Sequence, residues 1–309
     1  MIAVPLLGVL GVPGVLWAAC VLVIAERVGK AMRSPAKDSL LSYTTAATGR
    51  GRGFAVHEAL DQAGALAGPL AVAGVLAVSG GRYGPALGML ALPGAAVPAV
   101  LVWLRVRVPD PAGYEWDLAA SPRPPGGAGC RGVPGRFWHC AASTAATTAG
   151  LVTFGVLSFY LVHAGLLATA LVPVLYAAAM GVDALVALTT GWAYDRVGAR
   201  VLPVLPLLTA AVPALAFNNA LAVAATGWLV WGTATGVQES TLRAVVVDLV
   251  PVSRRGTAYG IFASVVGAAI LAGGALTGAL YEHSVPLLVG VVVALQAVAS
   301  AWFVVAKPR

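Results

Sequence analysis

The chain has 309 residues, of which 59% are apolar and only 10% charged, where soluble domains carry about 25% charged residues. Its mean hydropathy is +0.88. These values exclude a soluble enzyme, a disordered chain and a secreted disulfide scaffold, and they describe a polytopic membrane protein. The net charge is +7, from 19 Lys and Arg against 12 Asp and Glu.

A hydrocarbon core about 30 Å thick needs about 20 apolar residues per helix. In chain order, apolar stretches fall near 2–25, 54–79, 85–106, 138–163, 168–192, 200–217, 220–249, 256–281 and 285–306. They are continuous rather than alternating, so the expected fold class is all-α and not a barrel. The opening MIAVPLLGVL lacks a basic n-region and no cleavage site follows, so it reads as membrane-embedded chain and not a signal peptide. Stretch 200–217 is short and carries Pro203, Pro206 and Pro213. Between the third and fourth stretches, segment 107–137 has six Pro and six Gly up to Arg136 and reads as a linker.

The basic residues give the orientation, because Lys and Arg stay on the cytoplasmic side. Arg27, Lys30, Arg33, Lys37, Arg50 and Arg52 lie in segment 26–52. Arg105, Arg107, Arg123, Arg131 and Arg136 lie in segment 105–136. Arg196 with Arg200, Arg254 with Arg255, and Lys307 with Arg309 follow. All fall at every second turn, which places the linker and the C-terminus in the cytoplasm. Only Arg82 lies in an opposite loop, and Arg243 lies within a span. The positive charge is thus a topology signal, and no nucleic-acid partner is expected. Cys20, Cys130 and Cys140 have no paired or metal-like spacing, and no histidine pair has metal spacing. His57 beside Glu58 is a candidate for titration near neutral pH, as histidines generally are, but a histidine satisfied near a helix start reads better. No phosphate-binding loop and no nucleophile–base arrangement is visible, so neither a cofactor, ATP drive nor an enzyme is expected.

A helix–basic turn–helix unit occurs twice. Arg50-Gly51-Arg52-Gly53 and Arg255-Gly256-Thr257-Ala258 are related turns, and at the same offset of 205 Leu66-Ala67-Gly68 falls on Leu271-Ala272-Gly273. Two related halves joined by a linker are a transporter architecture.

Several motifs resemble those of the major facilitator superfamily. Gly191-Trp-Ala-Tyr-Asp195-Arg196-Val-Gly198-Ala-Arg200 resembles its G-x-x-x-D-R-x-G-R-[RK] loop after the eighth helix, with Ala199 where a basic residue is common. Glu26-Arg27-Val-Gly29-Lys30-Ala-Met-Arg33 through Asp38 resembles the fourth helix of a bacterial subgroup. Phe54–Pro69 resembles that subgroup's fifth helix, and Gln238 through Gly260 its tenth helix and following turn. The resemblance implies two pseudo-symmetric six-helix halves, here an incomplete N-terminal half over 1–106, the linker 107–137 and a complete six-helix half over 138–309. Residues 2–12 would be the end of the third helix, Pro13-Gly14 an outer turn, and Val15–Thr44 the fourth helix. A single span over 2–25 with 26–38 as a loop is the alternative.

Ionisable residues at membrane depth usually line a cavity or pair. Lys30, Arg33 and Lys37 share one helix face with Glu26, and Glu58, Asp61 and Gln62 share another. Lys37 and Asp61 lie at similar distances from the turn between them, so the two faces are expected to pair. Glu239 and Arg243 are spaced i, i+4, and Asp183 is a lone acid in its span. The expected substrate and proton cavity is Lys30, Arg33, Glu58, Asp61, Gln62, Glu239 and Arg243. The expected cytoplasmic gating motif is Gly191, Asp195, Arg196, Gly198, Arg200, Arg255 and Gly256. Gly64/Gly68 and Gly274/Gly278 have the spacing of close helix packing, and Gly68-Pro69 resembles part of an exporter motif of the same superfamily.

The resemblance implies a secondary active transporter of a small solute working by alternating access; protons are the expected coupling ion, and the partial Gly68-Pro69 motif favours efflux, with import left open. Its place would be the bacterial inner membrane. The other readings are a truncated remnant or fragment of such a transporter, and a membrane-embedded sensor or scaffold. With an incomplete first half, the 309 residues alone are expected to transport poorly.

Overall fold

In a bilayer, backbone N–H and C=O groups must find partners inside the chain, which leaves helices as the answer to continuous apolar stretches. The computed structural model describes residues 16–45, 49–80, 83–107, 133–168 and 171–305, and every regular element among them is a helix. Helix α1 (Leu16–Thr44) runs unbroken through residues 26–38, with Pro35 inside it. The reading of 26–38 as a loop is thereby overturned. Helix α2 spans Arg50–Val78. The expected stretch 85–106 is two helices, α3 (Tyr83–Gly88) and α4 (Ala91–Arg107).

Helix α5 (Gly135–Gly150) begins within the expected linker, and α6 (Phe154–His163) follows after a break at residues 151–153. The break leaves the Val152 carbonyl without a helical partner, and the buried Trp231 indole N–H supplies one at 3.0 Å. Helix α7 (Val172–Val197) ends at Gly198, whose φ of +65° suits glycine. A 3-10 turn (Gly198–Val201) leads to α8 (Val204–Ala216). Pro203 stands just before α8 and Pro206 lies in its first turn, where a missing N–H costs nothing. Helices α9 (Leu221–Leu249), α10 (Arg255–His283) and α11 (Val285–Val305) complete the chain. Residues 108–132 of the linker, the expected third-helix end and outer turn within 1–15, Arg82, Lys307 and Arg309 lie outside the described residues.

The repeat is now geometric. Thr44 and Leu249, Arg50 and Arg255, and Val78 and His283 are helix boundaries, each pair 205 residues apart. Helix pair α1–α2 therefore corresponds to α9–α10 turn for turn. Residues related by that offset also meet each other. Asp38 reaches Arg243 at 3.5 Å, and the Phe54 and Tyr259 rings lie 6.4 Å apart. A pseudo-twofold axis passes between these pairs.

Four stretches among the described residues are long and apolar enough to cross a bilayer: Gly135–His163, Val172–Val201, Val252–His283 and Val285–Trp302. Outward side chains such as Leu70, Val174, Leu185, Leu207 and Val298 are apolar and exposed, as lipid-facing positions are. The protein is a multi-pass, all-α membrane protein.

Helix α9 is central, packed against α2, α7 and α8. Small residues set these approaches. A Cβ on Gly191 of α7 would strike Ala55 and the Gly51 carbonyl of α2, and one on Gly51 would strike the Gly191 carbonyl. Gly232 and Gly236 of α9 sit against the Ala179 and Asp183 carbonyls of α7 in the same way. The expected packing pairs differ. Nothing lies within 4 Å of a Cβ built on Gly64, Gly68 or Gly278 among the described residues, and Gly274 meets only the Thr153 methyl. Their spacing is right, but they point away from the helix crossings among the described residues.

Candidate functional site

Two polar layers join the segments on either side of residues 107–137. They sit at different depths from the end of the bundle that carries the α1–α2, α7–α8 and α9–α10 turns.

The end layer begins with Asp195, in the last turn of α7. Its Oδ1 accepts the Gly51 backbone N–H at 2.7 Å and its Oδ2 the Arg52 N–H at 3.0 Å, with the Arg52 guanidinium 3.7 Å away. The first turn of a helix has unsatisfied N–H groups and partial positive charge. Asp195 therefore caps α2 from across the joint, and the Gly51–Gly191 contact lets it come close enough. Beside it, Arg50 pairs with Asp248 of α9, whose other oxygen accepts the Tyr194 hydroxyl at 2.5 Å. The pseudo-twofold relates Arg50 and Asp248 to Arg255 and Tyr43, and the Arg255 guanidinium lies 6.0 Å from the Tyr43 ring centre. Arg196 instead stacks on Trp192 of its own helix at 3.6 Å. Gly198 supplies the turn, and Arg200 is exposed beyond it. Gly256 lies against Ser39 of α1, with 3.8 Å left for a Cβ.

The deep layer is built around Arg243. It is six residues before the end of α9, about 9 Å inside at 1.5 Å per residue. Three carboxylates hold it: Asp38 of α1 at 3.5 Å, Glu58 of α2 at 2.9 Å, and Glu239 one turn back on α9. The Tyr259 hydroxyl of α10 donates to its backbone carbonyl at 2.9 Å. Gln62 extends the network, donating to Glu58 Oε1 at 2.8 Å and to Asp183 Oδ2 at 3.2 Å. Asp183 faces α9 because Gly236 allows the helices to touch there, and it is only 1% exposed.

Of the seven expected cavity residues, four gather here: Glu58, Gln62, Glu239 and Arg243. Asp61 does not. It turns toward α1, with Lys37 Nζ at 3.5 Å and His57 Nε2 at 3.7 Å. Lys30 and Arg33 stand exposed further along α1. The expected pairing of the α1 and α2 faces thus exists as Lys37–Asp61, beside the Arg243 cluster and not within it. Asp38, Gln238, Asp248, Tyr194 and Tyr259 were absent from the sequence-based set. The signal for Asp38 was the repeat itself, since it is the residue 205 before Arg243.

Helices of membrane length, an internal two-fold repeat and charged groups buried where the related segments meet define a multi-pass transporter architecture. The sequence model of the Major Facilitator Superfamily matches residues 162–309. Proteins of Mycobacterium tuberculosis and Mycobacterium bovis, each described as uncharacterized, are 54% identical over 315 residues, covering all of this chain and 75% of the relative. The chain belongs to the major facilitator superfamily, a family of membrane transporters acting on small molecules.

Proposed function

We propose that the chain carries the central joint of a secondary active transporter, moving a small solute by alternating access with protons as the coupling ion. The observation that supports this most is the partnership of Arg243. Its carboxylates come from α1 and α2 on one side of the linker and from α9 on the other. A transporter whose halves rock must break and remake such cross-half pairs. Three carboxylates around one guanidinium, with Asp183 one hydrogen-bond bridge away, also leave an excess of negative charge at membrane depth. A proton or a cation neutralises that excess at lower cost than leaving it bare.

The proposed orientation follows the basic residues: linker and C-terminus in the cytoplasm of a bacterium, with both polar layers at the cytoplasmic end. The proposed division is an N-terminal part to residue 106, the linker 107–137 and a C-terminal six-helix half. A cysteine placed at Ser121 in a cysteine-free chain tests the orientation. An impermeant reagent should label it only after right-side-out vesicles are opened.

The function is tested in proteoliposomes holding a pH-sensitive dye, with a chain in which a complete N-terminal half precedes the 309 residues. Sugars, amino acids, organic acids and organic cations are added in turn. Solute-triggered proton movement, lost in Arg243→Gln, is the expected result. Absence of solute flux and of proton movement across the panel would overturn the reading.

A further inference from the structure

Beside Arg243 lies a cavity of about 200 Å³ between α1, α9 and α10. Asp38, Gln238, Glu239 and Arg243 form its polar side, and Phe262 and Ile270 are part of an apolar wall. We infer that this cavity binds a protonated amine carried on a small apolar body. The inference rests on the transporter reading above and names the substrate class of that site.

The hydrogen-bond inventory of the wall points to a ligand that donates. Arg243 has engaged all three nitrogens: Nε toward Asp38, Nη1 toward Glu58 and Nη2 toward Glu239. The Tyr259 hydroxyl is committed to the Arg243 carbonyl. Acceptors are left over. Asp38 Oδ1 and Gln238 Oε1 are buried with no hydrogen-bond partner among the described residues. The two residues are only 8% and 7% exposed. A buried acceptor without a donor costs about 1–3 kcal/mol, more when charged, so a donor brought there, from water or from a ligand, recovers free energy that apolar occupancy does not.

Asp38 decides the sign. An amide can be turned so that Gln238 presents its nitrogen, but an ionised carboxylate only accepts. The formal charge agrees, with Asp38, Glu58 and Glu239 against the single Arg243. An anion would meet three carboxylates, and an uncharged alcohol would leave the excess in place. An ammonium group brings both the missing donors and the missing charge. The apolar wall then sets the body of the ligand, and the volume sets its size below that of drug-sized pockets, which start near about 300 Å³.

Equilibrium binding to the purified 309-residue chain near neutral pH tests this with four phenyl-bearing probes of similar size: 2-phenylethylamine, 2-phenylethanol, 3-phenylpropionate and phenyltrimethylammonium. The amine should bind at least about tenfold more tightly than the alcohol, and the carboxylate should not bind measurably. Phenyltrimethylammonium has charge but no N–H and should be intermediate. Asp38→Asn and Gln238→Leu should each weaken the amine by about tenfold without moving its rank above the carboxylate. Gln238→Leu is near-isosteric and keeps the test open if Asp38→Asn fails to fold. Equal binding of amine and alcohol, or unchanged amine binding in the folded variants, overturns the inference. Amine binding without flux in proteoliposomes would leave the site and remove the transport reading. Proton-linked flux of an anionic or neutral solute, with no amine preference, would do the reverse.

Discussion

The end layer and the deep layer join the same helices yet are built on opposite rules. In the end layer the contacts are closed: Asp195 has both oxygens on backbone N–H groups, and Asp248 has one on Arg50 and one on Tyr194. Glycines bring the backbones together, and no cavity is needed to explain any side chain. In the deep layer the contacts are unbalanced. Carboxylates outnumber the guanidinium, one oxygen each of Asp38, Asp183 and Gln238 lacks a donor among the described residues, and a cavity adjoins Asp38 and Gln238. A fully satisfied polar contact serves as a latch, because its energy is complete without a third party. An unsatisfied one at membrane depth is kept against its cost when something else completes it. On the proposed reading, the first layer closes and the second binds.

The largest expected effect breaks that assignment at its centre. Arg243→Gln should lower flux by roughly a hundredfold, equivalent to about 2.7 kcal/mol, while changing the melting temperature little. A static buried pair behaves otherwise: removing one partner costs about 3–5 kcal/mol of stability and removing both costs less. The informative double variant therefore pairs Arg243→Gln with Glu58→Gln, because Glu58 and not Asp61 is the α2 partner. Flux that stays lost in the double variant, measured beside thermal unfolding, keeps the deep layer as a site. Recovery of both flux and expression would make it a second latch.

How much of this was legible beforehand follows from the physics of each signal. Membrane spans were legible because about 20 apolar residues in a row leave few alternatives. The breaks at residues 89–90 and 151–153 were not, since they depend on partners such as Trp231 that only tertiary packing supplies. Glu239 and Arg243 were readable as an i, i+4 pair, and the offset of 205 was readable from the two Arg-Gly turns. That the offset would place Asp38 against Arg243 needed the additional step that related residues meet on the axis. Asp61 was grouped with Glu58 because helical spacing allows both on one broad face. In the fold, the face divides, with Glu58 and Gln62 toward α7 and α9 and Asp61 toward α1. Periodicity gives the direction of a side chain to within a face, and a helix between two neighbours has more than one partner per face.

The end layer should respond in stability rather than in ligand preference. Gly191→Val places a branched side chain where even a Cβ meets Ala55 and the Gly51 carbonyl. Since backbone cannot move aside as a flexible side chain can, the cost should be about 1–3 kcal/mol, read as a lowered melting temperature, with the binding rank of the four probes unchanged. A wild-type melting curve would show that the two helices are not pressed together there. Asp195→Ala comes next. It removes the acceptor for the first turn of α2, worth about 1 kcal/mol as a cap. Asp195→Asn should recover part of that, because it keeps one oxygen but loses the favourable charge at the helix start. If Asn behaves like Ala, charge is the whole of the latch; if it behaves like wild type, hydrogen bonding is.

The smallest expected effect sharpens the comparison within one motif. Arg196 follows Asp195 directly and belongs to the same run of motif residues, so the sequence gives the two equal weight. Their geometry does not. Asp195 reaches across to α2, whereas the Arg196 guanidinium lies over Trp192 one turn earlier on α7, at 3.6 Å from the ring centre. An exposed cation–π contact of this kind is worth about 0.5–1 kcal/mol, and it holds a helix to itself rather than one segment to another. Arg196→Gln should therefore lower the melting temperature less than Asp195→Ala and leave flux within about twofold of wild type. Arg196→Lys should lie between wild type and Arg196→Gln, since a lysine keeps the charge but loses the planar stack. The additivity of the pair is the sharper measurement. Arg196 and Asp195 face different partners, so their double variant should show the sum of the single effects within about 0.3–0.5 kcal/mol. A coupling energy well above that would mean that Arg196 leaves Trp192 during the cycle and joins the latch, which would place both residues of the motif in the end layer.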